Sequence, residues 1–427
     1  MEHDSNPASE QRTERSILFF TCAAHALTHI YMVIYSAVIV RMNQDFGEKV
    51  YWYATICVIV FGMGSIPASY LGEKLGEKRL LVAFFLLTAA GGASVGLAHS
   101  TWQLAFGMTL LGLGASIFHP VGNTLIAKGI RLPGRAMGVN GLWGSIGEAI
   151  GPILAGGLTA WLGSWRYPYL VLTLPTLAIG LWLAVTRIDL KHATGGTTAT
   201  TGAPSLARPL RRAPVALLTF LLLAMMCGGF QLWIVKTTLP EFVGKSTSSG
   251  LLPVSLGNPE FLGPAVTSIM YLVGGTGQLV AGRVVHRREG RGVYALVFLV
   301  SIPLILLTAR LTNLPLLVTG SLMALLMFSA QPIENVLLAR FAPASWKSFF
   351  FGLKFTLAFG VGGLGVRLCG WARQGYGLDA TFNLATAFCA AALFFALLAL
   401  LAKSNRQLEP EVLPPIASLP EPRLLKQ

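Results

Sequence analysis

The sequence predicts an all-α membrane protein with twelve transmembrane helices arranged as two six-helix pseudo-repeats. Three observations carry that expectation: apolar runs too long for a soluble core, a basic bias confined to alternate loops, and motifs that recur in the second half. Of 427 residues, 54% are hydrophobic and 12% charged, against about 25% charged in ordinary soluble domains. Ser16–Val40 contains no Asp, Glu, Lys or Arg, and crossing a hydrocarbon core takes about 20 apolar residues of helix. Backbone groups inside lipid must be satisfied within the segment, so such a run reads as a helix.

Taken in order, the spans fall near 16–40, 51–71, 79–98, 104–127, 135–162 and 167–187, then 214–237, 263–282, 292–309, 314–339, 348–372 and 380–402. Residues 1–15 form a polar tail with no short apolar stretch before a cleavage site, unlike a secretory signal. The bundles are expected over 16–190 and 214–402, joined by a linker over 191–213 rich in Gly, Thr, Ala and Pro. A second polar tail covers 403–427. Most of the 32 Lys and Arg residues lie on the side of the chain termini. The positive-inside rule places that side in the cytoplasm of a bacterial inner membrane, or of a membrane derived from it. The net charge of +14 is then a topology signal rather than a nucleic-acid surface. Five cysteines, all within apolar segments, argue against a disulfide framework.

The halves resemble each other at a nearly constant offset. HPVGNTLIAK at 119–128 aligns with QPIENVLLAR at 331–340, so that Pro120 meets Pro332, Asn123 meets Asn335 and Lys128 meets Arg340. SYLGEKLGEK from Ser69 aligns with GRVVHRREGR from Gly282, and Gly138 and Gly151 align with Gly352 and Gly365. Parallel repeats of this kind enclose a midplane site between the halves in secondary transporters.

At these residues the chain resembles the major facilitator superfamily over nearly its whole length. The loop after the second span is similar to the family's G-x3-D-R-x-G-R-R signature, with Ser69 at the first glycine position, Glu73 at the acidic one, and Lys74, Gly76, Lys78 and Arg79 following. The second copy keeps Gly282, Arg287 and Arg291, with His286 at the acidic position. The resemblance implies a latch at the cytoplasmic ends involving Glu73, Lys74, Arg79, His286 and Arg287. GSIGEAIGPILAGG from Gly144 looks like the G-x3-G-P-x2-G-G element of the antiporter branch, read either as close helix packing or as a determinant of transport direction. HALTHIY, GLGASIFHP and GRAMGVNG most resemble the fosmidomycin-resistance-like antiporters, although Met108 stands where drug antiporters carry an arginine. Magnetosome-type iron permeases are similar in general plan.

Ionisable groups inside lipid are functional candidates by default. A rise of about 1.5 Å per residue places His25, His29, His119 and Glu148 near the middle of a core about 30 Å thick. Cys22, His25, His29 and Met32 share one helical face, which suits a transition metal, a polar cavity lining or proton handling, or histidines satisfied by packing against neighbouring helices. Glu148 is a proton carrier or a structurally paired carboxylate. Glu334 and Lys354, at matched depth on adjacent spans, predict an ion pair. Asn123, Asn140 and Asn335 complete the candidate substrate and proton pathway. Arg41 and Lys236 are expected to snorkel at outer span ends, and Arg367 has no evident partner.

No phosphate-binding loop or nucleophile elbow occurs. The reading is a non-enzymatic secondary transporter without a cofactor, coupled to protons, with lipid and a small solute as partners and no nucleic acid. An iron or other transition-metal permease is the alternative, and a transport-inactive sensor or scaffold a further one.

Overall fold

The computed structural model describes residues 7–188, 215–247, 259–287, 290–343 and 346–402. The linker over 191–213 and the tail over 403–427 lie outside them. Every regular element among the described residues is helical. The first half holds α1 (Pro7–Phe46), α2 (Val50–Leu75), α3 (Glu77–Gly96), α4 (Thr101–Gly129), α5 (Pro133–Leu162) and α6 (Tyr167–Val185). The second holds α7 (Val215–Ser246), α8 (Pro259–Arg287), α9 (Gly290–Thr308) and α10 (Asn313–Phe341). It ends with α11 (Lys347–Phe355), α12 (Leu364–Tyr376) and α13 (Leu378–Leu401).

Ten stretches among the described residues are long and apolar enough to cross a membrane. One of them, Glu10–Leu75, runs through most of α1 and all of α2, divided at the 3-10 turn Gly47–Lys49. The glycine-rich α5 is not among the ten; its glycines and Glu148 dilute its hydropathy. With α5 counted, and α11 and α12 taken as the two parts of one span, the helices make the twelve crossings of the predicted fold.

Local chemistry sets the boundaries. Ser100 caps α4 in a capping box: its hydroxyl accepts from the Gln103 backbone N–H at 3.3 Å, and the Gln103 side chain accepts from the Ser100 N–H at 3.1 Å. Gly76 ends α2 with φ +92°, a conformation that favours glycine. Pro133 opens α5, where its missing N–H costs nothing. Span 11, expected to be continuous, is instead interrupted by a π-helical segment over Thr356–Val361, a feature that concentrates at functional sites.

The packing repeats between halves. α4 packs on α2 and α3, and α6 on α3, as α10 packs on α8 and α9, and α13 on α9. α1 lies against α5 as α7 lies against the π segment. Contacts between the halves follow the same symmetry: α5 meets α8, α2 meets the π segment and α12, and α1 meets α7. The outer surface is apolar, with exposed Leu, Val, Ile and Phe on most helices. Trp102 and Trp161, 85% and 80% exposed, sit at helix ends on the face away from the termini. Such aromatic rings favour the membrane–water interface.

Candidate functional site

The site is built on the seam between α1 and α5, which glycines bring close together. A Cβ at Gly144 would sit about 2.5 Å from the His25 ring, one at Gly147 would strike the Ala26 backbone, and one at Gly151 would strike Val33. The small residues of the G-x3-G-P element therefore seat α5 directly on the histidine-bearing helix.

On this seam the structure brings together three of the sequence-predicted candidates. One ring nitrogen each from His25 and His29 on α1 and His119 on α4 lies within 4.8 Å of the others. His25 Nδ1 is 2.8 Å from the Asn140 backbone oxygen on α5. His25 Nε2 is 3.2 Å from His29 Nε2. The His119 ring stacks on Phe355 of α11 with centroids 5.3 Å apart. Cys22 and Met32 are buried on the same helix, and the Cys22 thiol is outside the histidine group. Asn123 lies one turn beyond His119, half-buried.

Glu148 on α5 is 3% exposed. Its Oε2 faces His29 Nδ1 at 3.7 Å, and its Oε1 accepts a hydrogen bond from Lys236 on α7. Lys236 does not snorkel: it is buried, with its ammonium near the faces of Trp233 and Phe328. The snorkelling expectation failed because α7 runs on to Ser246, which leaves Lys236 inside the helix rather than at its end.

A second buried pair lies within the last six helices. Lys354, fully buried, is 2.9 Å from Glu334 Oε2 and donates to Asn335 Oδ1 at 2.7 Å. The Tyr294 hydroxyl donates to Glu334 Oε1 at 2.9 Å. Beside the pair, a cavity lined by Gln231, Ser301, Gln331 and Glu334 leaves about 20 Å³ open to the centre of a water molecule, enough for about one water. Breaking either pair leaves an uncompensated buried charge. Opening either pair therefore calls for water or another charge in the partner's place.

On the face away from the termini, Arg373 of α12 binds Glu241 of α7 at 2.9 and 3.0 Å and Glu48 of the α1–α2 turn at 3.3 Å. Lys245 adds a contact to Glu241 at 2.7 Å. This network ties the first half to the second. The sequence reading missed it because Glu48, Glu241 and Arg373 fall just outside the apolar spans, where a charged residue is ordinary. Arg367 places its guanidinium 5.2 Å from the Trp52 ring centroid.

On the termini face, Glu73, Lys74 and Arg79 are exposed. Lys74 lies near the Tyr70 ring, and Arg79 reaches the Leu75 carbonyl at 3.5 Å. His286 and Arg287 end α8. The buried acid there is Glu77, 2.5 Å from Lys128 of α4.

Comparison with known proteins agrees with this architecture. The chain is 30% identical over 149 residues to the multidrug resistance protein MdtH of Salmonella choleraesuis. It is likewise 30% identical over 148 residues to MdtH of Escherichia coli O1:K1. These matches span about a third of each protein, 33% of this chain and 34% of the relative. A bacterial homologue of the human lysosomal transporter Spinster, solved in an inward-facing and occupied conformation, has the same fold. Its TM-score is 0.71 at 13% identity, over 91% of this chain and 97% of that one. The family model of the Major Facilitator Superfamily matches residues 20–366, and the chain, a multi-pass membrane protein, belongs to that family.

Proposed function

We propose that the chain is a secondary active transporter that moves a small solute across a bacterial inner membrane by alternating access, with protons as the coupling ion. The observation that carries this reading is the buried Glu148–Lys236 pair, whose partners stand on α5 in the first half and α7 in the second. If the six-helix groups over 16–190 and 214–402 rock apart, opening the far face separates α1 from α7 and draws this pair open. The exposed carboxylate and ammonium then offer charges to a solute or a coupling ion.

The far-face network of Glu48, Glu241 and Arg373 acts as the outer latch. The termini face the cytoplasm, in keeping with the positive-inside bias. Glu334, held by Lys354 and Tyr294, serves as the proton-carrying carboxylate. Amphiphilic organic compounds are one substrate class in keeping with this reading, since similar proteins are named for multidrug resistance, and transition-metal ions are the other.

Reconstitution into liposomes tests this. Uptake of a panel of organic cations, Zn²⁺ and Fe²⁺ is measured with and without an imposed pH gradient. Accumulation of one solute class driven by the gradient is expected, with Glu334→Gln retaining exchange but losing the stimulation. A folded protein that moves nothing in the panel would favour a sensor or scaffold.

A further inference from the structure

The three histidines are oriented in a way that proton handling alone does not require. His25 Nδ1 lies 2.8 Å from the Asn140 carbonyl. A carbonyl only accepts, so this nitrogen carries the hydrogen and the neutral ring turns a lone pair outward at Nε2. That lone pair meets His29 Nε2 at 3.2 Å. On the far side of the second ring, Nδ1 faces Glu148 Oε2 at 3.7 Å. A carboxylate also only accepts, so a hydrogen on Nδ1 suits that side and leaves His29 Nε2 bare. The opposite tautomer would aim a bare Nδ1 at an anion. In that tautomer two ring lone pairs face each other and can share one cation; with the hydrogen on Nε2 instead, His29 donates to His25 across the same 3.2 Å contact.

A single proton needs two acceptors, yet a third ring converges. His119 comes from a different helix, and one nitrogen of each ring lies within 4.8 Å of the other two. Tetrahedral metal–imidazole bonds of about 2.0–2.1 Å set neighbouring ligand nitrogens about 3.3 Å apart, close to the 3.2 Å between His25 and His29. The outer contacts match those of metal-binding histidines, which hand their second N–H to a backbone carbonyl or a carboxylate. Here the Asn140 carbonyl fills that position for His25, and Glu148 stands on the Nδ1 side of His29 at 3.7 Å, beyond hydrogen-bond length. Lys236 binds Oε1 of Glu148 while Oε2 faces His29, so the carboxylate stands between the ammonium and the rings.

We propose that His25, His29 and His119 bind one divalent transition-metal cation. Three neutral imidazoles select zinc, cobalt, nickel or copper over calcium or magnesium. The proposal rests on the transporter reading above in making such an ion the cargo. His119 also stacks on Phe355 of α11, so the third ligand is held from the opposite half and the site forms and loosens with the halves' approach.

The test is equilibrium binding of Zn²⁺, and optical spectroscopy of Co²⁺, on untagged purified full-length protein, followed by uptake in liposomes. One Zn²⁺ per chain is expected, with a tetrahedral Co²⁺ spectrum. His29→Ala and His119→Ala should each weaken Zn²⁺ binding at least tenfold, while His99→Ala, at an exposed loop position, should leave it unchanged. Melting temperatures near wild type for the variants exclude simple misfolding. Equal Zn²⁺ binding by wild type and a His25→Ala/His29→Ala/His119→Ala variant would overturn the site, as would a Co²⁺ spectrum of hexaaquo type. Gradient-driven uptake of an organic solute without Zn²⁺ binding would overturn the metal site and leave the transporter intact. Tight histidine-dependent Zn²⁺ binding without uptake of any solute would support the site and overturn the transporter reading.

Discussion

Lys354 is the residue with most at stake. It is fully buried, and it meets Glu334 at 2.9 Å and Asn335 at 2.7 Å. Lys354→Met leaves Glu334 uncompensated and should destabilise the protein by about 3–5 kcal/mol, read as a fall in melting temperature in detergent. The double swap Glu334→Lys with Lys354→Glu should recover more transport than either single change, and failure to recover would count against the pairing. Tyr294→Phe removes one hydrogen bond to a charged acceptor. It should cost about 1.5–3 kcal/mol, with transport retained at lower temperature. The Glu334–Lys354 pair was legible in the sequence because both charges sit at matched depth on adjacent spans. The Glu148–Lys236 pair was not, since its partners stand on α5 and α7 and nothing local connects them.

At the scale of elements, the α1–α5 seam decides where the histidines stand. Gly147→Val would drive a side chain into the Ala26 backbone and should abolish a monodisperse peak in gel filtration. Gly138→Ala, on the same helix with nothing within 4 Å of the added carbon, should behave as wild type. Equal tolerance of both changes would show that the glycines are not packing determinants. The seam was partly visible beforehand: small residues at four-residue spacing announce a close approach but do not say to which helix. The π segment of span 11 had no such signal, since Thr356–Val361 reads as ordinary apolar helix.

For the whole molecule, the far-face network holds the two halves together through Arg373. Arg373→Ala should shift the population toward states open on that face. Cys369, one turn earlier on α12 and 1% exposed, reports this when the other four cysteines are replaced by alanine. Labelling by a membrane-impermeant thiol reagent should rise several-fold over the Arg373 parent, and unchanged labelling would remove the network from the gating scheme. The same assay, run from each side of sealed vesicles, also tests the proposed orientation.

The sequence by itself determined the class of fold, the twelve crossings and the duplication, because hydrophobic length and recurring motifs are properties of contiguous chain. It also singled out His25, His29, His119, Glu148, Glu334 and Lys354, because a polar group in lipid is costly wherever it points. Apart from the Glu334–Lys354 pair, only the tertiary structure decided which of these meet. His119 joins His25 and His29 by way of α4, Lys236 reaches Glu148 from the other half, and Arg373 closes on Glu48 across the far face. Each of those encounters depends on how helices distant in sequence pack side by side, and helical periodicity carries no record of which neighbour lies opposite.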